Sequence, residues 1–373
     1  MLLAGGAGGI VVIGLILALV RPAQVIGPAP SPSASQAPTP TPRPTQITVP
    51  LDIAAQLNLG PHPVSAMTVN TGDVWLATQG VASGSAGRLF RVDAATVRET
   101  ASWSVGGDPV AVAASGDFVW VANGSGGTST IPPGDDTVEQ FNAATGALLH
   151  SYPVVDPQGL VANPTSALVV AANSEQQTSI SLLTGGGAKL VTTLAGVLSP
   201  PVSTLSPEVA VSVCADRVFL ALTTVLTSGS NVTIYALPMA GGPVRKVVTV
   251  PYDYEASTAC DTTSVFLIGA AGDGDASIAR VTVADGSITN LWEGPYPVAV
   301  AFLSGRVWIA YADDALNESA LTSLDPVTGI AMSTRSILPA PSNGGDPNLL
   351  IPGDSGLWLV ASQGNVLLHV ATG

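Results

Sequence analysis

Carboxylates are the main ionisable groups that could do chemistry in this sequence, because the other reactive types are scarce. Its 373 residues include 26 Asp and Glu, 12 Lys and Arg, three His and two Cys. The histidines, His62, His150 and His369, are far apart in the chain. No HExxH motif, no GxSxG motif and no cysteine pair at metal-ligand spacing is present, which argues against a zinc site or a Ser-His-Asp triad. Any catalysis would therefore rest on carboxylates.

The charge balance also limits the partners. A net charge of -14 disfavours binding to DNA, RNA or an anionic lipid surface unless a basic patch is present. Arg245-Lys246 is the only adjacent pair of basic residues. We therefore expect no nucleic-acid partner.

A unit that recurs seven times must position these groups. Each copy has an apolar strand, a tight turn with Gly or Asp, and a second strand that runs aliphatic, aromatic, aliphatic, small. The second strands are Val74–Ala77, Val119–Ala122, Leu168–Ala171, Val218–Ala221, Val265–Ile268, Val307–Ala310 and Leu357–Val360. Their spacing of about 42 to 50 residues is typical of four-stranded blades, and the short β-branched runs do not fit helical repeats. The sequence therefore predicts an all-β, seven-bladed β-propeller.

Several segments resemble a known repeat. Asp108–Val112, Val119–Asn123 and Asp325–Gly329 are similar to the YVTN-type bacterial β-propeller repeats of surface and secreted proteins. The resemblance covers about residues 46–373. It implies a scaffold and leaves the chemistry open, because that family is diverse in function.

The last copy is incomplete. It ends at Gly373, where its outer strand is due to begin. We expect Gln46–Leu51, between the linker and the first copy, to supply the missing strand. This pairing would close the ring and remove an exposed sheet edge.

The N-terminal region is predicted to hold the propeller outside the cytoplasm. Residues 2–20 form an uncharged apolar run, long enough as a helix to cross a bilayer core of about 30 Å. We assign residues 1–21 to a transmembrane helix or signal anchor, and residues 22–45, rich in Pro, Ser and Thr, to a disordered linker. The propeller spans 46–373. We expect a single-pass protein of the cell membrane; a secreted protein, released by cleavage of the segment, is the alternative.

One side of the predicted propeller is strongly acidic. The loops that enter a first strand and those that join a second to a third strand emerge on the same side. This side collects Asp108, Asp135, Asp136, Asp156, Asp253, Glu255, Asp313, Asp314 and Asp346. We predict that it is the ligand-binding face, since propellers commonly bind ligands around the channel mouth.

Two further patterns point to a metal ion and a disulfide. Asp273 and Asp275 carry oxygen ligands suited to Ca²⁺, but this short run lacks the six or more that a good site needs, so a solvated turn competes and we predict no cofactor. Cys214 and Cys260 lie at equivalent places, at the ends of first strands in neighbouring copies. We predict a disulfide between them, with two buried thiols as the alternative.

Together these patterns predict a non-catalytic binding module. Its partner would be a protein, a glycan or a small ligand outside the cell, and the sensor part of a signalling protein is one specific form. A lyase or hydrolase that uses carboxylates at the channel mouth is the alternative. We expect the propeller to be monomeric.

Overall fold

The described part of the chain is entirely β-structure. The computed structural model describes residues 52–60, 63–80, 85–124, 136–172, 177–197, 209–226, 229–250, 257–270, 276–295, 297–313, 318–339, 347–361 and 366–372. These residues form 28 strands in seven four-stranded antiparallel sheets, which confirms the predicted seven-bladed propeller. Among them there is no helix of the length and apolar character that crossing a membrane requires. The predicted anchor, 1–21, and linker, 22–45, lie outside the described residues.

Each sheet is one blade, built from a first, second, third and outer strand. The first strands are β2 (Val64–Asn70), β6 (Pro109–Ser115), β10 (Pro157–Asn163), β14 (Val209–Cys214), β18 (Thr258–Cys260), β22 (Pro297–Leu303) and β26 (Pro347–Gly353). The second strands are β3 (Asp73–Thr78), β7 (Phe118–Asn123), β11 (Ser166–Ala172), β15 (Arg217–Leu226), β19 (Ser264–Ala270), β23 (Arg306–Asp313) and β27 (Gly356–Ala361). The third strands are β4 (Gly87–Asp93), β8 (Thr137–Asn142), β12 (Gln177–Thr184), β16 (Gly229–Pro238), β20 (Ala276–Thr282), β24 (Glu318–Leu324) and β28 (Val366–Ala371). The outer strands are β5 (Arg98–Val105), β9 (Leu148–Pro153), β13 (Gly187–Val197), β17 (Arg245–Val250), β21 (Ile288–Glu293), β25 (Ala331–Pro339) and β1 (Asp52–Asn58).

The first strands surround a central channel. Each of them contacts the first strands of both neighbouring blades, including β2 with β26, so the ring is closed. A cavity of about 500 Å³ lies in the channel and is lined by residues of all seven first strands. Most of the lining is apolar, with the hydroxyl groups of Thr68, Ser212 and Thr258 as exceptions.

The apolar core is divided into seven clusters, one between each pair of adjacent blades. Every cluster contains one large side chain from the second strand of a blade, packed against the next blade, and in all blades but the third it is the predicted aromatic position. These residues are Trp75, Trp120, Leu168, Phe219, Phe266, Trp308 and Trp358, and each is at most 2% exposed. A blade cannot bury this side chain alone, so the neighbouring blades stabilise one another.

The third blade departs from the predicted alignment by one residue. Leu168 lies opposite Val161, as Trp120 lies opposite Ala113 in the second blade. Ala167–Val170 therefore takes the place that we predicted for Leu168–Ala171. The whole run is small or aliphatic, so its pattern does not set the register, which follows from the turn between Asn163 and Ser166.

A strand from the start of the propeller completes the last blade. β1 pairs antiparallel with β28, from Asp52 opposite Ala371 to Asn58 opposite Val366. The prediction that Gln46–Leu51 supplies this strand is wrong, because Asp52–Asn58 supplies it. Gln46–Leu51 itself lies outside the described residues. Apolar residues alternate with other residues from Ile47 to Leu59, so several registers fit the pattern, and the short connection from Asn58 to β2 selects the one that forms.

Two faces of the ring follow from the antiparallel order. We call the loop face the side where first and third strands begin, and the turn face the side where second and outer strands begin. β1 is the outer strand of its blade and begins at the turn face. The chain therefore enters the ring from the turn face.

Candidate functional site

Two of the predicted acidic residues, Asp136 and Asp156, are in contact on the loop face, and Asp108 occupies the equivalent place of Asp156 in the preceding blade. Asp108 and Asp156 directly precede the buried Pro109 and Pro157, which begin β6 and β10. Gly124 follows β7, and its N–H donates to the carbonyl oxygen of Asp108 over 3.0 Å. A Cβ at this position would lie 3.1 Å from the carbonyl oxygen of Pro157, so a larger residue would be crowded there. The two equivalent Asp-Pro pairs of adjacent blades therefore flank one glycine at the entrance of the ring.

Asp156 is also brought close to Asp136. Its N–H donates to Oδ2 of Asp136 over 3.0 Å, and its own Oδ1 accepts from Nε2 of Gln158 over 2.7 Å. The backbone of Asp156 has a φ of 45°, in the left-handed region that non-glycine residues seldom adopt. This turn directs the two carboxylates of Asp136 and Asp156 toward one region of the loop face.

The surroundings of Asp156 and of Asp108 disfavour the charged form of these two carboxylates. Burial, together with the negative charge of Asp136, raises the pKa of Asp156, although the hydrogen bond from Gln158 opposes this effect. Burial likewise raises the pKa of Asp108. A carboxylate whose pKa is raised by burial lowers the free energy of unfolding at neutral pH. Carboxylates of this kind are common at functional sites.

A buried polar group beside this site was missed by the sequence analysis. Asn123, 1% exposed, donates from Nδ2 to Oε2 of Glu139 over 3.1 Å and to Oγ1 of Thr137 over 3.2 Å. The N–H of Gly106 donates to the same Glu139 oxygen over 3.2 Å. Oδ1 of Asn123 has no hydrogen-bond partner among the described residues. The sequence did contain one signal for this group. Glu139 is a carboxylate in the middle of the strand Thr137–Asn142, where an acidic side chain is unusual.

The remaining predicted site residues are not assembled by the described structure. Asp313 ends β23, and its side chain lies outside the description. Outside the described residues lie Asp135, Asp253, Glu255, Asp314 and Asp346, and also the Ca²⁺ candidates Asp273 and Asp275. Within the described ranges, no three His, Cys, Asp or Glu side chains come together as metal ligands.

The predicted disulfide is confirmed. Cys214 and Cys260 are bonded, with 5.9 Å between their Cα atoms, and both line the channel near its turn-face end. We had expected equivalent positions for the two cysteines, but the structure shows that they differ by one residue. Cys214 pairs with Arg217 next to the turn of its hairpin, whereas Asp261 takes that place in the next blade and Cys260 lies one residue earlier. This offset turns the two side chains into the same gap between blades, because successive residues of a strand face opposite sides.

Comparisons with known proteins give the fold and no family. No protein-family model matches the chain, and no curated protein matches it. Among solved structures, BamB from Moraxella catarrhalis is 16% identical, with a TM-score of 0.53, over 83% of this chain and 85% of that chain. Hydrazine synthase of Kuenenia stuttgartiensis is 14% identical, with a TM-score of 0.58, over 87% and 98%. The WD40 domain of Neurospora crassa Pan2 is 9% identical, with a TM-score of 0.58, over 85% and 94%.

Identities this low carry no information on activity, and the resemblance to YVTN-type repeats stays a prediction. The architecture itself is shared with these propellers. The chain is thus a seven-bladed β-propeller whose last blade is completed by a strand from the start of the ring.

Proposed function

We propose that this protein is an extracytoplasmic, non-catalytic propeller that binds a partner protein through its loop face. The observation that carries the proposal is the contact between Asp136 and Asp156, together with the burial that raises the pKa of Asp156 and of Asp108, its equivalent in the preceding blade. Lys or Arg side chains of a partner would favour the charged form of these carboxylates and so gain binding free energy. The partner class that fits is a protein with a basic contact surface.

The distribution of basic residues supports this assignment. Several strands carry an arginine as their first residue at the turn face: β5, β15, β17 and β23 begin with Arg98, Arg217, Arg245 and Arg306. The turn face also carries carboxylates, among them Asp117, Asp216 and Asp354, and these arginines offset part of its negative charge.

The direction of chain entry also supports it. Because β1 begins at the turn face, an anchor formed by residues 1–21 and a linker formed by 22–45 would connect there. The linker would thus join the ring on the face opposite the one that carries Asp108, Asp136 and Asp156. We include this tether, and a role as the sensor part of a signalling protein, in the proposal.

A pair of charge-matched variants tests the binding face. One variant carries Asp108→Asn, Asp136→Asn and Asp156→Asn, and asparagine at 136 keeps the oxygen that accepts the N–H of Asp156. The control carries Asp117→Asn, Asp216→Asn and Asp354→Asn, three exposed residues of the turn face. Both changes raise the net charge from -14 to -11. Binding of a decalysine peptide is measured by interferometry at low salt.

We expect the loop-face variant to bind decalysine at least about fivefold more weakly, and the control to stay within about twofold of the unchanged protein. An equal loss in both variants would mean that only net charge matters, and the proposed site would then be wrong.

One observation favours a second candidate, a carboxylate-based lyase or hydrolase. Asp136 and Asp156 are neighbours, and the pKa of Asp156 is raised while Asp136 contributes the negative charge. Such a pair can divide the roles of general acid and general base. In that case Asp156→Asn abolishes turnover but leaves substrate binding intact, whereas in a binding module it only weakens association.

A further inference from the structure

Asp-Pro peptide bonds occur at four places in the sequence, at 108–109, 156–157, 325–326 and 346–347. Such a bond is labile in acid, because the aspartic acid side chain can attack its own carbonyl carbon and expel the proline nitrogen. The structure describes both residues of the first three bonds, whereas Asp346 lies outside the described residues. These three bonds differ in their backbone and in the surroundings of the carboxyl group.

Asp156 has the strained backbone of the three. Its φ of 45° lies in the left-handed region, whereas neither Asp108 nor Asp325 has a positive φ. A residue that precedes proline is restricted further, because the proline ring crowds its backbone. Cleavage of the bond after Asp156 would release this strain, so the fold itself favours the reaction.

The carboxyl group of Asp156 is held beside this bond. Its Oδ1 accepts from Nε2 of Gln158 over 2.7 Å, and this contact spans Pro157. The Oδ1 of Asp325, in contrast, accepts from two N–H groups and a hydroxyl of its own turn, which together lower the pKa of Asp325. That carboxylate is kept charged and engaged, so Asp325 is a poor candidate for the same attack.

The surroundings of Asp156 also favour its protonated form. Burial and the negative charge of Asp136 raise the pKa of Asp156, whereas burial alone raises the pKa of Asp108. Among the described residues, Asp136 is the charged group that acts on Asp156, and its Oδ2 accepts the N–H of Asp156 over 3.0 Å. Asp156 thus combines a strained backbone, a carboxyl group beside the bond and a proton that it keeps in mild acid.

We propose that the chain cleaves its own peptide bond between Asp156 and Pro157 in mild acid. The carboxyl oxygen of Asp156 attacks the carbonyl carbon of the same residue and closes a five-membered anhydride ring. The carboxyl proton moves to the nitrogen of Pro157, which keeps the electron pair of the broken C–N bond and leaves as a secondary amine. One water molecule then opens the anhydride, and Asp156 becomes a C-terminal residue with two carboxyl groups.

The two products, residues 1–156 and 157–373, should stay associated in the ring. Trp120 and Tyr152 of the second blade pack in one apolar cluster with Leu160 and Val169 of the third, and this packing does not depend on the bond. Cleavage places a new carboxylate and a new proline ammonium group on the loop face. It goes beyond the proposed function, because it is a single reaction of the chain itself and needs no partner.

A comparison of the folded and the unfolded chain tests this proposal. The full chain in a non-ionic detergent is kept at about pH 5, with and without enough urea to unfold it, and intact-mass spectrometry follows the fragments. In the folded chain, the 156–157 bond should break at least about tenfold faster than each of the other three Asp-Pro bonds. In urea the four bonds should break at similar rates, because the strain and the burial are lost.

Three variants identify the groups involved. Asp156→Glu keeps a carboxyl group but needs a six-membered anhydride ring, and it should slow this cleavage at least about tenfold. Asp108→Glu, the matched control in the preceding blade, should change it less than about twofold. Asp136→Asn should shift the pH profile of cleavage to lower pH and leave the rate in stronger acid unchanged, because it removes the charge that raises the pKa of Asp156.

Dilution of the protein separates self-cleavage from cleavage by a contaminating protease, because the rate constant of self-cleavage does not depend on concentration. Equal rates at the four bonds of the folded chain would overturn the proposal. So would faster cleavage at 156–157 in urea than in the folded chain, an unchanged rate in Asp156→Glu, or a rate constant that falls on dilution. The comparison with urea uses the unchanged chain, so it decides the matter even if a variant does not fold.

Discussion

His369 is a titratable residue in the sheet that closes the ring. It lies on β28, opposite Trp358 of β27 on one side and Ala55 of β1 on the other. Its ring stacks on Trp358 with 4.4 Å between centroids, and its Nε2 is 3.1 Å from Oγ of Ser355. The side chain is 9% exposed, and burial lowers the pKa of His369 in spite of the interaction with Ser355.

We expect acid to weaken the closing sheet through His369. An unfolded histidine has a pKa of about 6.5, and the folded value is lower, so the unfolded chain binds more protons between the two. Stability therefore falls as the pH decreases from about 6.5 to the folded pKa, and this contribution is constant below it. His369→Gln should remove this part of the pH dependence, whereas His150→Gln, at an exposed site, should keep it. Thermal unfolding between pH 8 and 4.5 measures the effect, and parallel profiles for His369→Gln and the unchanged protein would contradict it.

At the scale of the elements, the turn between the third and outer strands of the second blade joins this blade to the first one. In the second blade, Oδ1 of Asn142 accepts from the N–H and the hydroxyl of Thr145, each within 3.0 Å. Gly146 follows with a φ of 67° and lies against the ring of Trp103, on the outer strand of the first blade. The turn therefore needs glycine for two reasons, its backbone angle and the lack of room for a Cβ.

A comparison of two glycines separates these reasons. Gly305→Ala, at a φ of 74° in open space, should cost only the backbone strain, about 1 kcal/mol. Gly146→Ala adds a clash with Trp103 and should cost about 3 kcal/mol. Urea unfolding gives both values. Equal losses would show that the contact between blades contributes nothing.

At the scale of the whole molecule, β1 decides whether the ring closes. Its apolar residues Ala55 and Leu57 pack on the cluster that joins the last blade to the first, together with Leu367 and Val360. Without β1 the edge of β28 would be open, and this cluster would lose its cover.

Truncation tests the closure. A chain that starts at Asp52 should unfold at the same temperature as one that starts at Gln46, because β1 is intact in both. A chain that starts at Gly60 should unfold at least about 10 °C lower, since a whole strand and its packing are gone. A peptide of residues 52–59, added to the chain that starts at Gly60, should raise its unfolding temperature with concentration. If the chains that start at Asp52 and Gly60 melted together, closure by β1 would be refuted.

The sequence alone determined the number of blades, their second strands, the closing of the ring by an N-terminal strand and the disulfide partners. These follow from local patterns, because a recurrent strand with one large buried side chain specifies a blade and its neighbour wherever the blade lies. The faces of the ring were equally predictable, since antiparallel order fixes the side on which each connection emerges.

The register was decided by the tertiary structure. Alternation from Ile47 to Leu59 and the aliphatic run around Leu168 each fit more than one alignment, and a shift of one residue turns every side chain to the other face. The same parity made the bond from Cys214 to Cys260 possible from unequal positions.

The candidate site also needed the folded ring. Asp136 and Asp156 are 20 residues apart in the chain. They meet because Asp136 directly precedes the third strand of the second blade and Asp156 directly precedes the first strand of the third blade. No local pattern marks that pair, nor the burial that raises the pKa of Asp156, because desolvation depends on what other blades place around a carboxylate. Local patterns thus specified the blades, and packing between blades determined the register and the site.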